Sequence, residues 1–372
     1  MGLFDLFRSR RNASAAQITD PATQERALGL VSQGNALEDA GHLDEALKLY
    51  LAAVSTSPDL PKTHLNLGNC LLARGDPRAA LQAYSKALEL QSDYAPAHYN
   101  CGNAYVALSN FSKALACYQA ALVSNPTFVD ALVAQGVTQH RLGDYDAAVS
   151  SYLRALELNP EYVQILNNLG ASYIRLTEYD KALTCFDRAI ALKPDYLEPY
   201  YHRALLHVIR KNRLAAIKDF DLLLSMSPTY GLAPGQRLHA KMHLCDWSNY
   251  EIQRDLILRH LDQGSLISTC FPILAITDSP RHQLKANMFW SREKYLPSAT
   301  LGVFSTRLKR SKIRVGYFSM DFNNHPVSFL MAGVFETHSR EEFEIYAFSY
   351  GPPIRDEMRI RLESVFDHFI DV

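Results

Sequence analysis

Residues 100–126 read NCGNAYVALSNFSKALACYQAALVSNP. Gly102, Ala114, Tyr118 and Pro126 mark this stretch, and the same residue types recur on both sides of it at a spacing of 34. The glycine column holds Gly34, Gly68, Gly136 and Gly170, with Ala204 in the sixth place. Twelve residues on stand Ala46, Ala80, Ala148, Ala182 and Ala216; four further on stand Tyr50, Tyr84, Tyr152, Phe186 and Phe220. Units close at Pro58, Pro160, Pro194 and Pro228, with Ser92 as the exception. Gly and Ala belong where two antiparallel helices approach closely. The aromatic fills the space between one helix pair and the next, and the proline stops the second helix of each unit.

This pattern resembles the tetratricopeptide repeat, a helix-turn-helix unit of 34 residues. Six units cover 27–230, after a polar segment, 1–26, expected to be disordered. Such units stack into a superhelix with a concave face, lined by the first helix of each unit. Two positions before the repeat glycine stand Asn66, Asn100 and Asn168, with Ser32, Ala134 and His202 in the other units. Asparagine is a mediocre residue for a helix interior, so packing does not explain it. A side-chain amide donates and accepts, which suits the backbone of an extended acceptor peptide. The same residues also fit a plainer reading, in which they are solvated or bridge adjacent helices. Ala134 and His202 make any such ladder discontinuous.

A length of 372 residues predicts two or more domains. The net charge of −1 argues against a nucleic-acid protein held by bulk electrostatics. Six scattered cysteines include no C-x-x-C pair and fit a reducing, cytoplasmic compartment. No apolar run is long enough to span a bilayer, and the segment Met1–Arg8 is too short for a signal-peptide core. Beyond about 230 the period is lost. Residues 231–312 read as a helical connecting region ending in a basic junction (Arg307, Lys309, Arg310, Lys312), with Trp247 and Trp290 as core aromatics. His239 and His243 are four apart, but no third ligand accompanies them, so no metal site is expected.

Periodicity of another kind follows. Ile313–Phe318 is an apolar, β-branched and aromatic run that stops at a polar cluster, Ser319–His325, before Pro326 opens a helix to Thr337. A strand at 343–349, a helix at 355–364 and a strand at 369–372 complete β-α-β-α-β, the first part of a doubly wound parallel sheet. The loop after the carboxyl end of such a strand is where ligands and reacting groups sit. No G-x-G-x-x-G is present to suggest a dinucleotide.

Six repeats, then Cys245-Asp246-Trp247, Asp278-Ser279-Pro280, and Arg314-Val315-Gly316-Tyr317 through Asp321-Phe322 and Asn324-His325-Pro326, resemble the O-linked N-acetylglucosamine transferase family. The resemblance implies an α-solenoid followed by the beginning of a two-lobed glycosyltransferase of the GT-B type, Rossmann-like, over 313–372. It implies UDP-GlcNAc as donor substrate, no further cofactor, and serine or threonine of proteins as acceptor. His325 matches the family's active-site histidine; Asp321 is expected to orient it or its loop, and Asn324 to shape the pocket. A second histidine common in the family falls at Phe329 here. The family's nucleotide-holding lobe has no counterpart in the sequence, so the chain is expected to be an amino-terminal portion, inactive by itself. A non-catalytic repeat adaptor and a Spindly-type protein O-fucosyltransferase are the alternatives.

Overall fold

A computed structural model describes residues 20–294, 311–351 and 354–372. The chain forms two compact units, divided after residue 296. The first carries six helical hairpins. They are α1 (Pro21–Asp39) with α2 (Leu43–Thr56), α3 (Pro61–Ala73) with α4 (Pro77–Leu90), and α5 (Ala95–Ala107) with α6 (Phe111–Ser124). Then come α7 (Val129–Leu142) with α8 (Tyr145–Leu158), α9 (Val163–Arg175) with α10 (Tyr179–Leu192), and α11 (Leu197–Ile209) with α12 (Arg213–Met226). Each helix packs on its sequence neighbours.

The first helix corrects the boundary expected at residue 27. Of the segment 1–26, residues 1–19 lie outside the described residues, and from Pro21 the chain is helical. Asp20 takes an extended conformation and its carboxylate accepts the Thr23 N–H at 2.9 Å, while Pro21 occupies the first turn. That pair favours a helix start, and here it outweighs the polar composition of the segment.

In the first five hairpins the aromatic column is seated on the glycine of its own repeat. A Cβ at Gly68 would lie 2.3 Å from the Tyr84 ring, and one at Gly102 would lie 2.3 Å from the ring of Tyr118. Tyr50, Tyr84, Tyr118, Tyr152, Phe186 and Phe220 are among the largest fully buried side chains. Second helices begin at Asp76, Asn110, Asp144 and Asn212, whose side chains each accept a backbone N–H three residues on. The turn between paired helices needs a left-handed residue. Gly41, Gly75 and Gly143 supply it freely, whereas Ser109, Thr177 and Lys211 hold φ of 56°, 60° and 60° at the same repeat position.

Four further helices follow: α13 (Ala233–Met242), α14 (Tyr250–Asp262), α15 (Cys270–Ile276) and α16 (Pro280–Lys294). They share a core of Leu238, Ile257, Leu261, Ile273 and Ala286. Trp247 does not join it. The side chain is 54% exposed and meets Tyr250 edge-on at 5.3 Å, so the expectation of a core aromatic is corrected. It lies in the turn that follows α13, outside the helical stripes that face the core. The expected basic junction falls at residues 307–310 outside the described residues.

The second unit runs β1 (Ile313–Ser319), α17 (Pro326–Thr337), β2 (Phe343–Ser349), α18 (Glu357–Val365) and β3 (His368–Asp371). The strands are parallel in the order β1-β2-β3, with Ser319 opposite Ser349 and Ser349 opposite Asp371. Both helices cover one face, sharing a core of Ala332, Phe335, Ile345, Ala347, Met358 and Leu362. Right-handed crossovers that advance in one direction give that result. On the other face Phe318 stacks on Phe348 at 4.5 Å and Tyr346 on His368 at 4.3 Å.

Among the buried and half-buried imidazoles of the repeats are His64, His140 and His202. His64 Nε2 bonds the Pro58 carbonyl at 2.8 Å, His140 Nδ1 meets Ser172 Oγ at 2.9 Å, and His202 Nδ1 meets Asn167 Oδ1 at 2.8 Å. Burial lowers all three pKa values, more than the Pro58 carbonyl at His64 or Glu198 at His202 raises them. The unfolded chain, with ordinary values near about 6.5, therefore takes up protons first on acidification. The stability these groups contribute is fully present above that value and is lost as pH falls below it, toward the folded values. The thermal midpoint should fall between about pH 7.5 and about pH 5.5, and His202→Asn should flatten the slope. An equal slope in the variant, read by circular dichroism, counts against His202 as a contributor.

Candidate functional site

The loop leaving β1 is built from short local bonds and one buried anchor. Ser319 Oγ accepts the Asp321 N–H at 2.9 Å. The Asp321 carbonyl accepts the Asn323 N–H at 2.8 Å, and the Asn323 carbonyl accepts the His325 N–H at 2.6 Å. Ser328 Oγ donates to the Asp321 carbonyl from the first turn of α17. Phe322 is the anchor. It is buried, and its ring meets Phe335, Phe366 and Phe369 at 5.5–6.1 Å. With Phe322 turned into the core, its neighbours on either side are left at the carboxyl edge of the sheet.

His325 is the N-cap of α17. Its Nδ1 accepts the Val327 N–H at 3.3 Å, and the side chain is 43% exposed. A ring nitrogen that accepts carries no proton, so this bond selects the tautomer with hydrogen on Nε2. Asp321 Oδ2 stands 3.7 Å from the same Nδ1. That is beyond hydrogen-bond range; the carboxylate faces the ring as a charge and pairs with it only when the imidazole is protonated. Asn324 turns toward the other helix: its N–H donates to Asp356 Oδ2 at 2.7 Å and its Oδ1 accepts the Met358 N–H at 3.3 Å. Phe329, at the place of the family's second histidine, is 62% exposed.

The repeat asparagines belong to the first unit and are all half-buried. Asn66 Nδ2 donates to the Lys62 carbonyl of its own helix at 2.8 Å. Asn100 Nδ2 donates across repeats to Asn69 Oδ1 at 2.8 Å, and its Oδ1 faces Asn103 Nδ2 at 3.5 Å. The Asn168 side chain makes no hydrogen bond among the described residues. Sequence reasoning missed the neighbouring column Asn35, Asn69 and Asn103, whose Oδ1 atoms lie 2.7–3.0 Å from the phenol oxygens of Tyr50, Tyr84 and Tyr118, with Glu38 Oε2 also 2.7 Å from that of Tyr50. Its 34-residue spacing was there to be read.

Fold and site together define a tetratricopeptide-repeat solenoid joined to an α/β segment with a polar loop at its strand ends. Three stretches, 68–109, 99–163 and 163–196, match tetratricopeptide repeat families, and residues 286–372 match glycosyl transferase family 41. Behind its repeats the chain thus carries a segment similar to glycosyl transferase family 41. It is 33% identical over 103 residues to the probable UDP-N-acetylglucosamine–peptide N-acetylglucosaminyltransferase SEC of Arabidopsis thaliana, a match covering 27% of this chain and 10% of that protein. It is 33% identical over 61 residues to the UDP-N-acetylglucosamine–peptide N-acetylglucosaminyltransferase of Caenorhabditis elegans, covering 16% of this chain and 5% of that protein. The matched stretch spans a tenth or less of the length of these relatives. A tetratricopeptide repeat protein from Parabacteroides merdae superposes with a TM-score of 0.51 over 72% of this chain and 99% of its own, at 19% identity, and bears on the fold alone.

Proposed function

We propose that this protein takes part in transfer of N-acetylglucosamine from UDP-GlcNAc to serine or threonine hydroxyls of cytoplasmic proteins, with the repeats binding the acceptor polypeptide. The observation that carries this reading is the family 41 match over 286–372, whose opening loop presents His325 at the strand ends. The acceptor oxygen attacks the sugar C1, the C1–phosphate bond breaks, and UDP leaves with the electron pair. His325 Nδ1 is occupied by the Val327 N–H. Its Nε2 is then the ring nitrogen turned to the acceptor; it takes the hydroxyl proton only in the other tautomer, with Nδ1 released from the Val327 N–H and carrying the hydrogen beside Asp321, so that the lone pair lies on Nε2 as attack proceeds. Asn66, Asn100 and Asn168 supply polar contacts to the peptide, Asn100 from within its inter-repeat bond.

The test is incorporation of label. Native gene product, captured with antibody against the repeats, is incubated with radiolabelled UDP-GlcNAc and an acceptor-peptide library. Label on peptide, released by β-elimination from serine and threonine, supports the reading. Incorporation from GDP-fucose instead transfers the reading to the fucosyl alternative. Retention of peptides with no incorporation from either nucleotide overturns transferase activity in favour of a binding scaffold.

A further inference from the structure

Two loops meet at the carboxyl ends of β1 and β2, and a single carboxylate closes them on each other. Their backbones already touch: the Tyr350 N–H donates to the Ser319 carbonyl at 3.3 Å, and a Cβ on Gly351 would lie 2.1 Å from the Met320 carbonyl oxygen. Asp356 then works in both directions. Its Oδ1 accepts the Arg359 N–H at 2.9 Å and caps α18, while its Oδ2 accepts the Asn324 N–H at 2.7 Å. Asn324 answers by accepting the Met358 N–H. A cap needs only one acceptor oxygen. The second oxygen of Asp356 is spent on the residue before His325, a separation of 32 in sequence. A charged acceptor on a backbone N–H makes a stronger bond than a neutral one.

We propose that Asp356 is a positioning residue for His325, fixing the peptide unit from which the imidazole departs and coupling the loop after β1 to the start of α18. The proposal rests on the transferase reading for its kinetic consequence, and its structural arm is independent of that reading.

Asp356→Ser separates positioning from capping, because its single oxygen, held on Cβ at the cap position, serves the Arg359 N–H of its own helix and replaces only one of the two carboxylate oxygens that reach Arg359 and Asn324. In the full chain, amide hydrogen exchange at Asn324 and His325 should quicken about tenfold or more, with the amides of α18 and the thermal midpoint close to wild type. In the label-transfer assay kcat should fall about tenfold with KM for donor and acceptor within about twofold, as expected when geometry at the reacting group is lost. Asn324→Ala keeps the backbone N–H on Asp356 and removes only the Met358 bond, so the double variant Asn324→Ala/Asp356→Ser should lose less than the sum of the two singles if both bonds hold one joint. Unchanged exchange at residues 324 and 325, or fully additive losses in kcat, would overturn the proposal. Should Asp356→Ser melt below the assay temperature, Asp356→Asn keeps the shape, replaces one acceptor oxygen by a donor, and is read by the same exchange measurement. A wild-type protein that transfers no sugar overturns the transferase reading, while the exchange result still decides the connection between the loops.

Discussion

Tyr84→Ala is expected to cost about 3–5 kcal/mol of stability, the range for emptying a large aromatic site in a packed core. The ring is fully buried and lies on Gly68, where a Cβ would approach it to 2.3 Å. No side chain at that glycine can move in to fill the space. The loss extends past the cavity, because the Tyr84 hydroxyl donates to Asn69 Oδ1, the same oxygen that receives Asn100 from the next repeat. Removing the phenol weakens a bond within one repeat and loosens another between two. Tyr84→Phe isolates the hydrogen bond and should cost about 1 kcal/mol; Phe186 and Phe220 already occupy the equivalent position. Urea denaturation of the three proteins gives the comparison. Equal costs for Phe and Ala would mean that the hydroxyl, rather than the ring, holds the site. Because each repeat contacts only its neighbours, melting should begin around the damaged unit.

The repeats were legible because their columns record close approaches that only a few residue types satisfy. Glycine under a ring and proline after a helix are such cases. The left-handed turn position was harder to see. It has the same 34-residue period, but Ser109, Thr177 and Lys211 share it with Gly41, Gly75 and Gly143, so no single residue type marks it. The start at Pro21 was written in Asp20 and Pro21 yet masked by the polarity around them. Whether Asn100 faces a ligand or Asn69 depends on the angle between successive hairpins, which no column reveals. In the second unit, strand, loop and helix followed from an apolar run and a well-placed proline. The tie from Asn324 to Asp356 did not, since it joins residues 32 apart through the tertiary fold. The same holds for Phe322: sequence shows an aromatic in a polar loop, and only the packing of Phe335, Phe366 and Phe369 shows it to be an anchor.

His325→Ala should lower kcat about 100-fold or more if the imidazole moves a proton in the transfer, the usual range for a general base being about 10²–10⁴. Alanine also removes a helix cap, since Nδ1 accepts the Val327 N–H, and that costs about 1 kcal/mol of stability whatever the chemistry. His325→Asn separates the two effects. Asparagine is a good N-cap and restores an acceptor for that N–H, but it cannot take a proton at neutral pH. If Asn regains stability and leaves kcat as low as Ala, the imidazole acts by proton transfer. If Asn regains both, the residue acts by holding the start of α17 and a hydrogen-bonding group in place, and the base role is lost. Asp321→Asn should be milder than either, because at 3.7 Å its carboxylate acts on the imidazole through charge alone. Its effect should shrink as salt is raised, since both side chains are partly exposed and screening reaches them. An Asp321→Asn loss that equals His325→Ala and ignores salt would place the carboxylate in direct contact with the reacting hydroxyl instead.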